Sequence, residues 1–128
     1  MGELTEGVNW FAVGVGTVLS FLLGWLWYSP WLFATKWMEG VGAKPDGSGK
    51  MPMPPLVVQL VGTFLLAWIV GITAAHNALL TIILIAATII ILVVANGMFS
   101  MKSRYAITTE AGFIAAMVVL MIIVQGIF

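Results

Sequence analysis

Residues 51–101 read MPMPPLVVQLVGTFLLAWIVGITAAHNALLTIILIAATIIILVVANGMFSM, without one Asp, Glu, Lys or Arg. About 20 apolar residues in a helix suffice to cross a hydrocarbon core that is about 30 Å thick. The stretch is therefore long enough for two crossings and must reverse once. Its most polar point near the middle is TAAHN, which ends at Asn77. Because Asn tolerates the left-handed backbone that ends a helix, we predict a tight turn at His76 and Asn77, between spans over about 55–75 and 78–98.

The charged residues elsewhere in the chain bound two further spans. The first runs over about 8–28 and the last over about 109–128. Thr108 is the expected N-cap of the last span, with Glu110 in its first turn, where the helix dipole favours a carboxylate. We therefore predict an all-α integral membrane protein, a single domain of four transmembrane helices over residues 1–128.

The composition supports this class and excludes others. The chain is 62% hydrophobic and 8% charged, whereas soluble domains are nearer half apolar and a quarter charged. Its net charge is zero, so we expect no nucleic-acid partner, because no basic surface is present to neutralise phosphates. The chain has no cysteine and hence neither a disulfide nor a thiol nucleophile. Glu3 and Glu6 stand where a signal peptide carries basic residues, so we expect no cleavable signal.

The basic residues predict the orientation of the spans. Lys36, Lys44 and Lys50 lie between the first and second spans, and Lys102 and Arg104 lie between the third and fourth. The ends of the chain and the predicted central turn carry none. Because loops rich in Lys and Arg stay on the cytoplasmic side, we expect a multi-pass protein of the plasma membrane with both termini outside.

Aromatic residues crowd the stretch GWLWYSPWLFATKW, residues 24–37. Ser29 as N-cap and Pro30 as first helical residue predict a short helix over about 30–39, lying in the headgroup plane, before a cytoplasmic loop over 40–54. Trp and Tyr favour that depth, because a ring can lie in lipid while its N–H or O–H meets water. The expected interface anchors are Trp25, Trp27, Tyr28, Trp31, Phe33 and Trp37. The alternative is an aromatic cage, which needs a cation or a flat ligand to hold.

Two motifs carry a family resemblance. They are Asn9-Trp10 with Gly24-x-x-Trp27-Tyr28-Ser29-Pro30-x-x-Phe33-x-x-Lys36-Trp37, and Asn96-x-x-Phe99 with Arg104 and Ala111-Gly112-Phe113. Together they resemble the bacterial membrane family catalogued as domain of unknown function 1761. The resemblance covers nearly the whole chain. It implies a small four-helix protein of the bacterial inner membrane and implies no activity.

Small residues recur every four positions in three of the spans. They are Ala12, Gly16, Ser20 and Gly24 in the first, Thr63, Ala67, Gly71 and Ala75 in the second, and Gly112 and Ala116 in the fourth. Such spacing lets helices approach closely in lipid, and we expect at least one of these stripes to pack within the bundle. Gly112, Ala116 and the nearly featureless third span are left without an assigned partner. A helix that is apolar all round faces lipid or another apolar helix, so the third span is expected to be the most exposed or to lie against another copy.

No motif for a nucleophile, a phosphate loop or a dinucleotide site is present. His76 without acidic or thiol partners is a weak ligand set, and no ionisable residue lies clearly deep in a span. We therefore expect no enzyme activity, no cofactor and no metal. The leading hypothesis is a non-catalytic membrane protein that associates with itself or with a larger complex. The alternative is a small homo-oligomeric channel or carrier for a small solute, its path lined by hydroxyls such as Thr17, Ser20, Thr63 and Thr88.

Overall fold

A computed structural model of the protein describes residues 2–28 and 53–128. Over these residues the chain is helical and contains no strand. The helices are α1 (Gly2–Thr5), α2 (Trp10–Trp27), α3 (Met53–Ala75), α4 (Leu79–Phe99) and α5 (Arg104–Ile127). Four of them, α2 to α5, are long and apolar enough to cross a membrane, which confirms the predicted all-helical class with four such helices.

Several predicted features lie outside the described residues. They are the interfacial helix over 30–39, most of the loop over 40–54, and the anchors Trp31, Phe33 and Trp37.

The turn between α3 and α4 lies where the sequence predicted it. Asn77 has φ 53°, in the left-handed region. The Ala78 N–H donates to the Thr73 carbonyl at 2.7 Å, closing the last turn of α3. An Asn at this position is tolerated because its short polar side chain lowers the cost of positive φ. We call this end of the bundle the α3–α4 end.

The predicted start of the last helix is wrong. It begins at Arg104, with Ser103 as the N-cap, whose hydroxyl accepts from the Ala106 N–H at 3.0 Å. Thr108 therefore lies inside the helix, and Glu110 lies in its second turn rather than its first. The prediction excluded Arg104 from the span because of its charge, although a charged residue at a helix end can remain exposed to solvent. We call this end of the bundle the α4–α5 end.

The N-terminal segment folds back over the α3–α4 end, which the sequence did not predict. The Trp68 indole N–H donates to the Leu4 carbonyl at 2.8 Å, and the Trp10 and Trp68 rings lie 5.5 Å apart. Gly7 makes the reversal possible with φ 76°. Asn9 then caps α2 by accepting from the Ala12 N–H at 3.1 Å.

The centre of the bundle lies among α2, α3 and α5, and α4 packs on its outside. Helix α2 contacts both α3 and α5, whereas α4 packs on α5 and more lightly on α3. Only 11% of the α4 span is buried, against 28% to 33% for the other three. The shared core is mainly apolar: Val13, Leu66, Ala67, Val70, Phe113, Met117 and Met121 are among its buried members. Helix α4 is thus the most exposed of the four, as its uniform composition indicated.

Two glycines of α3 provide a matched test of close packing. A Cβ at Gly71 would lie 2.8 Å from Val13 Cγ2 and 3.2 Å from Gln125 Nε2, whereas a Cβ at Gly62 meets no described atom within 4 Å. We expect Gly71→Ala to be less stable than Gly62→Ala by about 1–3 kcal/mol, the usual cost of overpacking. Gly62→Ala gains helix propensity without a clash and should unfold no earlier than the parent. Reversible unfolding in mixed micelles, followed by circular dichroism, measures both. Equal stabilities of the two variants would contradict this packing.

Candidate functional site

Helices α2 and α5 interlock at the α4–α5 end through a Trp and a glycine. The Trp27 indole N–H donates to the Thr109 carbonyl of α5 at 3.0 Å. The ring lies over Gly112, where a Cβ would be 3.3 Å from Trp27 Cζ2. Trp27 is half-buried. This predicted interface anchor therefore also joins two helices.

A second contact repeats this pairing with the helices exchanged. Phe113 of α5 is buried, and its ring occupies the space at Gly24 of α2, where a Cβ would lie 2.8 Å from Phe113 Cζ. The Tyr28 ring meets Phe113 edge to face, with centroids 5.4 Å apart. Trp25 is 66% exposed, whereas Trp27 and Tyr28 are half-buried. The three described anchors thus divide into one exposed residue and two half-buried ones.

An ion pair lies beside these rings. Lys102 Nζ donates to both carboxylate oxygens of Glu110, at 2.9 and 3.0 Å. Their side chains are only 23% and 17% exposed. From the sequence, we expected the helix dipole to stabilise the Glu110 carboxylate. In the structure the carboxylate pairs with Lys102, which lies in the turn between α4 and α5. Tyr28 follows the last residue of α2, and burial raises the pKa of its phenol, with a further rise from the Glu110 carboxylate. Tyr28 therefore stays protonated in the physiological range.

Next to the rings lies a cavity of about 440 Å³ between α2, α3 and α5. Four rings line it, those of Phe21, Trp25, Tyr28 and Phe113. Gly24, Leu56 and Gln59 complete the described lining. The Gln59 Nε2 donates to the Thr63 hydroxyl at 3.2 Å. A mostly apolar cavity of this size with one convergent polar group has the character of a small-molecule site.

A second cavity of about 350 Å³ lies at the α3–α4 end, where Thr73, Asn77 and Gln125 contribute polar groups. The two cavities are well separated along α3. Gln59 lines the first and Val70 the second, and these residues are 11 positions apart, which corresponds to about 16 Å of helix. Buried apolar residues of the core fill the space between them.

The hydroxyl groups do not form a polar track between the two cavities in the described part of the chain. Thr17 donates to the Val13 carbonyl at 2.8 Å, Thr63 to Gln59 at 2.7 Å, and exposed Thr88 to Leu84 at 2.8 Å. Each hydroxyl is thus used within its own helix, as is usual for Ser and Thr in helices. Ser20 differs, since its hydroxyl is buried and has no described hydrogen-bond partner.

The structure places the small residues singled out from sequence at helix contacts and at the surface. Gly16 faces Met121, and Gly71 faces Val13 and Gln125. Gly112, left without a partner by the sequence, lies against Trp27. Ala12, Ser20 and Ala67 are buried, Ala116 is partly buried and Ala75 is exposed, although its Cβ lies beside Gly7.

Sequence reasoning missed three members of this site: Lys102 as an ion-pair partner, Glu110 as an inward-facing carboxylate, and Gln59 as a cavity residue. One signal was available for Glu110. It shares a helical face with Phe113 and Met117 at spacings of three and seven, and both are buried.

The family model described as "Protein of unknown function (DUF1761)" matches residues 11–126. The match spans α2 to nearly the end of α5 and includes both halves of the interlock. No curated protein and no solved structure matches the chain.

The ion pair should stabilise the fold, because removing Lys102 takes the ion pair away from a half-buried carboxylate. We expect Lys102→Met to lower the free energy of unfolding. Adding Glu110→Gln to the Lys102→Met variant should restore most of the lost stability. A double-mutant cycle at neutral pH should give a coupling of about 1 kcal/mol. Arg104→Met is the matched control, since Arg104 is exposed, and should change stability by less than about 0.5 kcal/mol. Additive effects of the two substitutions would show that the pair contributes nothing.

Proposed function

We propose that this chain, which belongs to the DUF1761 family of proteins of unknown function, is a non-catalytic membrane protein that works by association. The partner we propose is a second copy of the same chain, alone or within a larger membrane complex. The observation that carries the proposal is the outward face of α4.

Large apolar side chains on this face are mostly exposed. Leu80 is 81% exposed, Leu84 67% and Ile91 66%. Lipid can cover such side chains as well as protein can, because apolar burial gives no drive between helices in a bilayer. The proposal of a second copy therefore rests on the spacing of small and large residues along this face, and not on its exposure.

The residues opposite α5 form a heptad pattern that we call the α4 seam. Positions 81, 88 and 95 carry small or hydroxyl residues, and positions 84, 91 and 98 carry large apolar ones. The seam consists of Thr81, Leu84, Thr88, Ile91, Ala95 and Met98. Alternating steps of three and four residues are the spacing that lets two helices pack along their length, and small residues on such a seam permit close approach.

A two-fold axis along the membrane normal would bring two α4 seams together in parallel. Closed two-fold symmetry is the commonest form of self-association, and copies inserted in one direction meet this way. The glycines of α2, α3 and α5 support this choice of helix, since Gly16, Gly24, Gly71 and Gly112 already face side chains of their own chain. Of the surfaces that the sequence left without an assigned partner, Gly112 lies against Trp27 of its own chain, and we propose the third span, α4, as the interface.

We also propose that the four helices cross the bacterial plasma membrane with both termini outside. Lys102 and Arg104 lie at the α4–α5 end, and the turn at the opposite end carries neither Lys nor Arg. This division supports a cytoplasmic α4–α5 end.

The orientation can be tested with single cysteines, because the chain has none of its own. Cysteine at Gly2 should react with an impermeant thiol reagent applied to intact cells, and cysteine at Ser48 should react only after permeabilisation. Phe99→Cys, at the α4–α5 end, serves as a second cytoplasmic position. Labelling of Gly2 and Ser48 from the same side would end the four-span orientation.

The α4 seam can be tested by oxidative cross-linking. Thr88→Cys and Ala95→Cys lie one heptad apart on the seam and should each give a disulfide-linked dimer in membranes. Val58→Cys on α3 and Val119→Cys on α5 are matched controls, since these positions are 71% and 56% exposed on other helices. They should cross-link at the background rate. Mass measurement in nanodiscs should give a dimer that Thr88→Trp converts to monomer.

The alternative is a small homo-oligomeric channel or carrier for a small solute. The cavities at both ends of the bundle favour it, but the core between them is closed and the hydroxyls bond within their own helices. A path would therefore have to form between copies. A chain that stays monomeric in nanodiscs at high concentration, with seam and control cysteines cross-linking alike, would remove association and put a single-chain carrier first.

A further inference from the structure

We propose that the cavity at the α4–α5 end binds a planar, lipid-soluble ring compound with carbonyl groups at its edge. This site is separate from the α4 seam, because no α4 residue is among the described lining. Three features support it: the rings of the lining, the amide at its rim and the volume.

The rings determine the shape of the ligand. Phe21, Trp25, Tyr28 and Phe113 bring four aromatic side chains to one cavity. Aromatic rings pack against a flat ligand face to face or edge to face, and each such contact contributes beyond its buried area. Phe113 is fixed by its contact with Gly24, so at least this wall is formed before any ligand arrives. A saturated, puckered ring would lose the flat contacts.

The polar group determines the edge of the ligand. Gln59 is exposed and lies seven residues into a helix that is otherwise apolar at this end. One of its amide N–H groups donates to Thr63, which leaves the second able to donate to a carbonyl oxygen. A primary amide at an apolar rim is costly in lipid unless it finds a partner. A ligand carbonyl would supply that partner.

Charge argues against a cation as the occupant. None of the described lining residues is ionised, and the nearby Glu110 is already paired with Lys102. Bringing a cation from water into an apolar cavity without a counter-charge costs several kcal/mol. The volume of about 440 Å³ lies within the range of about 300–1,000 Å³ that small-molecule sites occupy. A two-ring compound with part of a side chain fits this space.

The probe is 1,4-naphthoquinone, a flat two-ring compound with two carbonyl oxygens. Equilibrium dialysis against nanodiscs with and without the protein separates binding from partition into lipid. We expect one saturable site per chain. Gln59→Leu should weaken binding about tenfold, as expected for one lost hydrogen bond. Leu56→Trp should abolish binding by filling the cavity.

Two controls keep the test specific. Val58→Leu changes an exposed residue outside the lining and should leave affinity unchanged. Decalin-1,4-dione has the same two carbonyls on puckered rings and should bind at least tenfold more weakly. Circular dichroism and thermal unfolding check that each variant folds. Partition equal to that of empty nanodiscs overturns the proposal, as does binding that folded Leu56→Trp retains or that decalin-1,4-dione matches.

Discussion

The bundle depends on a reciprocal contact between glycines and rings. Helix α2 offers Gly24 to Phe113, and α5 offers Gly112 to Trp27. Each glycine removes a side chain where the opposite helix inserts a large one, so the two helix axes approach while both rings remain packed. In lipid, where association rests on van der Waals contact and hydrogen bonds rather than on apolar burial, this kind of fit decides which helices pair. The Trp27 to Thr109 hydrogen bond adds a directional contact at the same place.

The rest of the architecture follows from this pairing. With α2 and α5 locked together, α3 completes the core through Gly71, which accommodates Val13 of α2 and Gln125 of α5. One ring of the interlock, Phe113, also lines the cavity. Helix α4 has no part in the interlock. It packs mainly against α5, where Gly97 makes room for Ile107, and the other described helices leave its outer face uncovered.

The sequence predicted the features that local chemistry determines. The lengths of the segments without charged residues predicted the number of apolar helices. Asn77 predicted the turn, because few other residues accept its backbone conformation. The turn after α4 uses the same conformation at Met101, with φ 59°, and could not be found this way because Met is disfavoured there. The start of α5 was misplaced for a related reason. Both Ser103 and Thr108 are good N-cap residues, and in the structure the Ser103 hydroxyl is the one that caps the helix, by accepting from the Ala106 N–H.

The site itself was only partly predictable, because it depends on which helices meet. Aromatic density at 24–37 was visible in the sequence, but the partner of each ring was not: Trp27 could equally face lipid until Gly112 is placed beneath it. The role of Gln59 could not be predicted either. In the sequence it is one polar residue in an apolar helix, and only the folded structure shows that four rings line the cavity beside it. Helix α5 connects the two surfaces of interest, since Phe113 faces the cavity and Ile107 faces α4. A ligand that displaced Phe113 would also displace α5, which contacts α4 through Ile107. If the contact between Phe113 and Gly24 is rigid, such a displacement does not occur, and the cavity and the α4 seam behave independently.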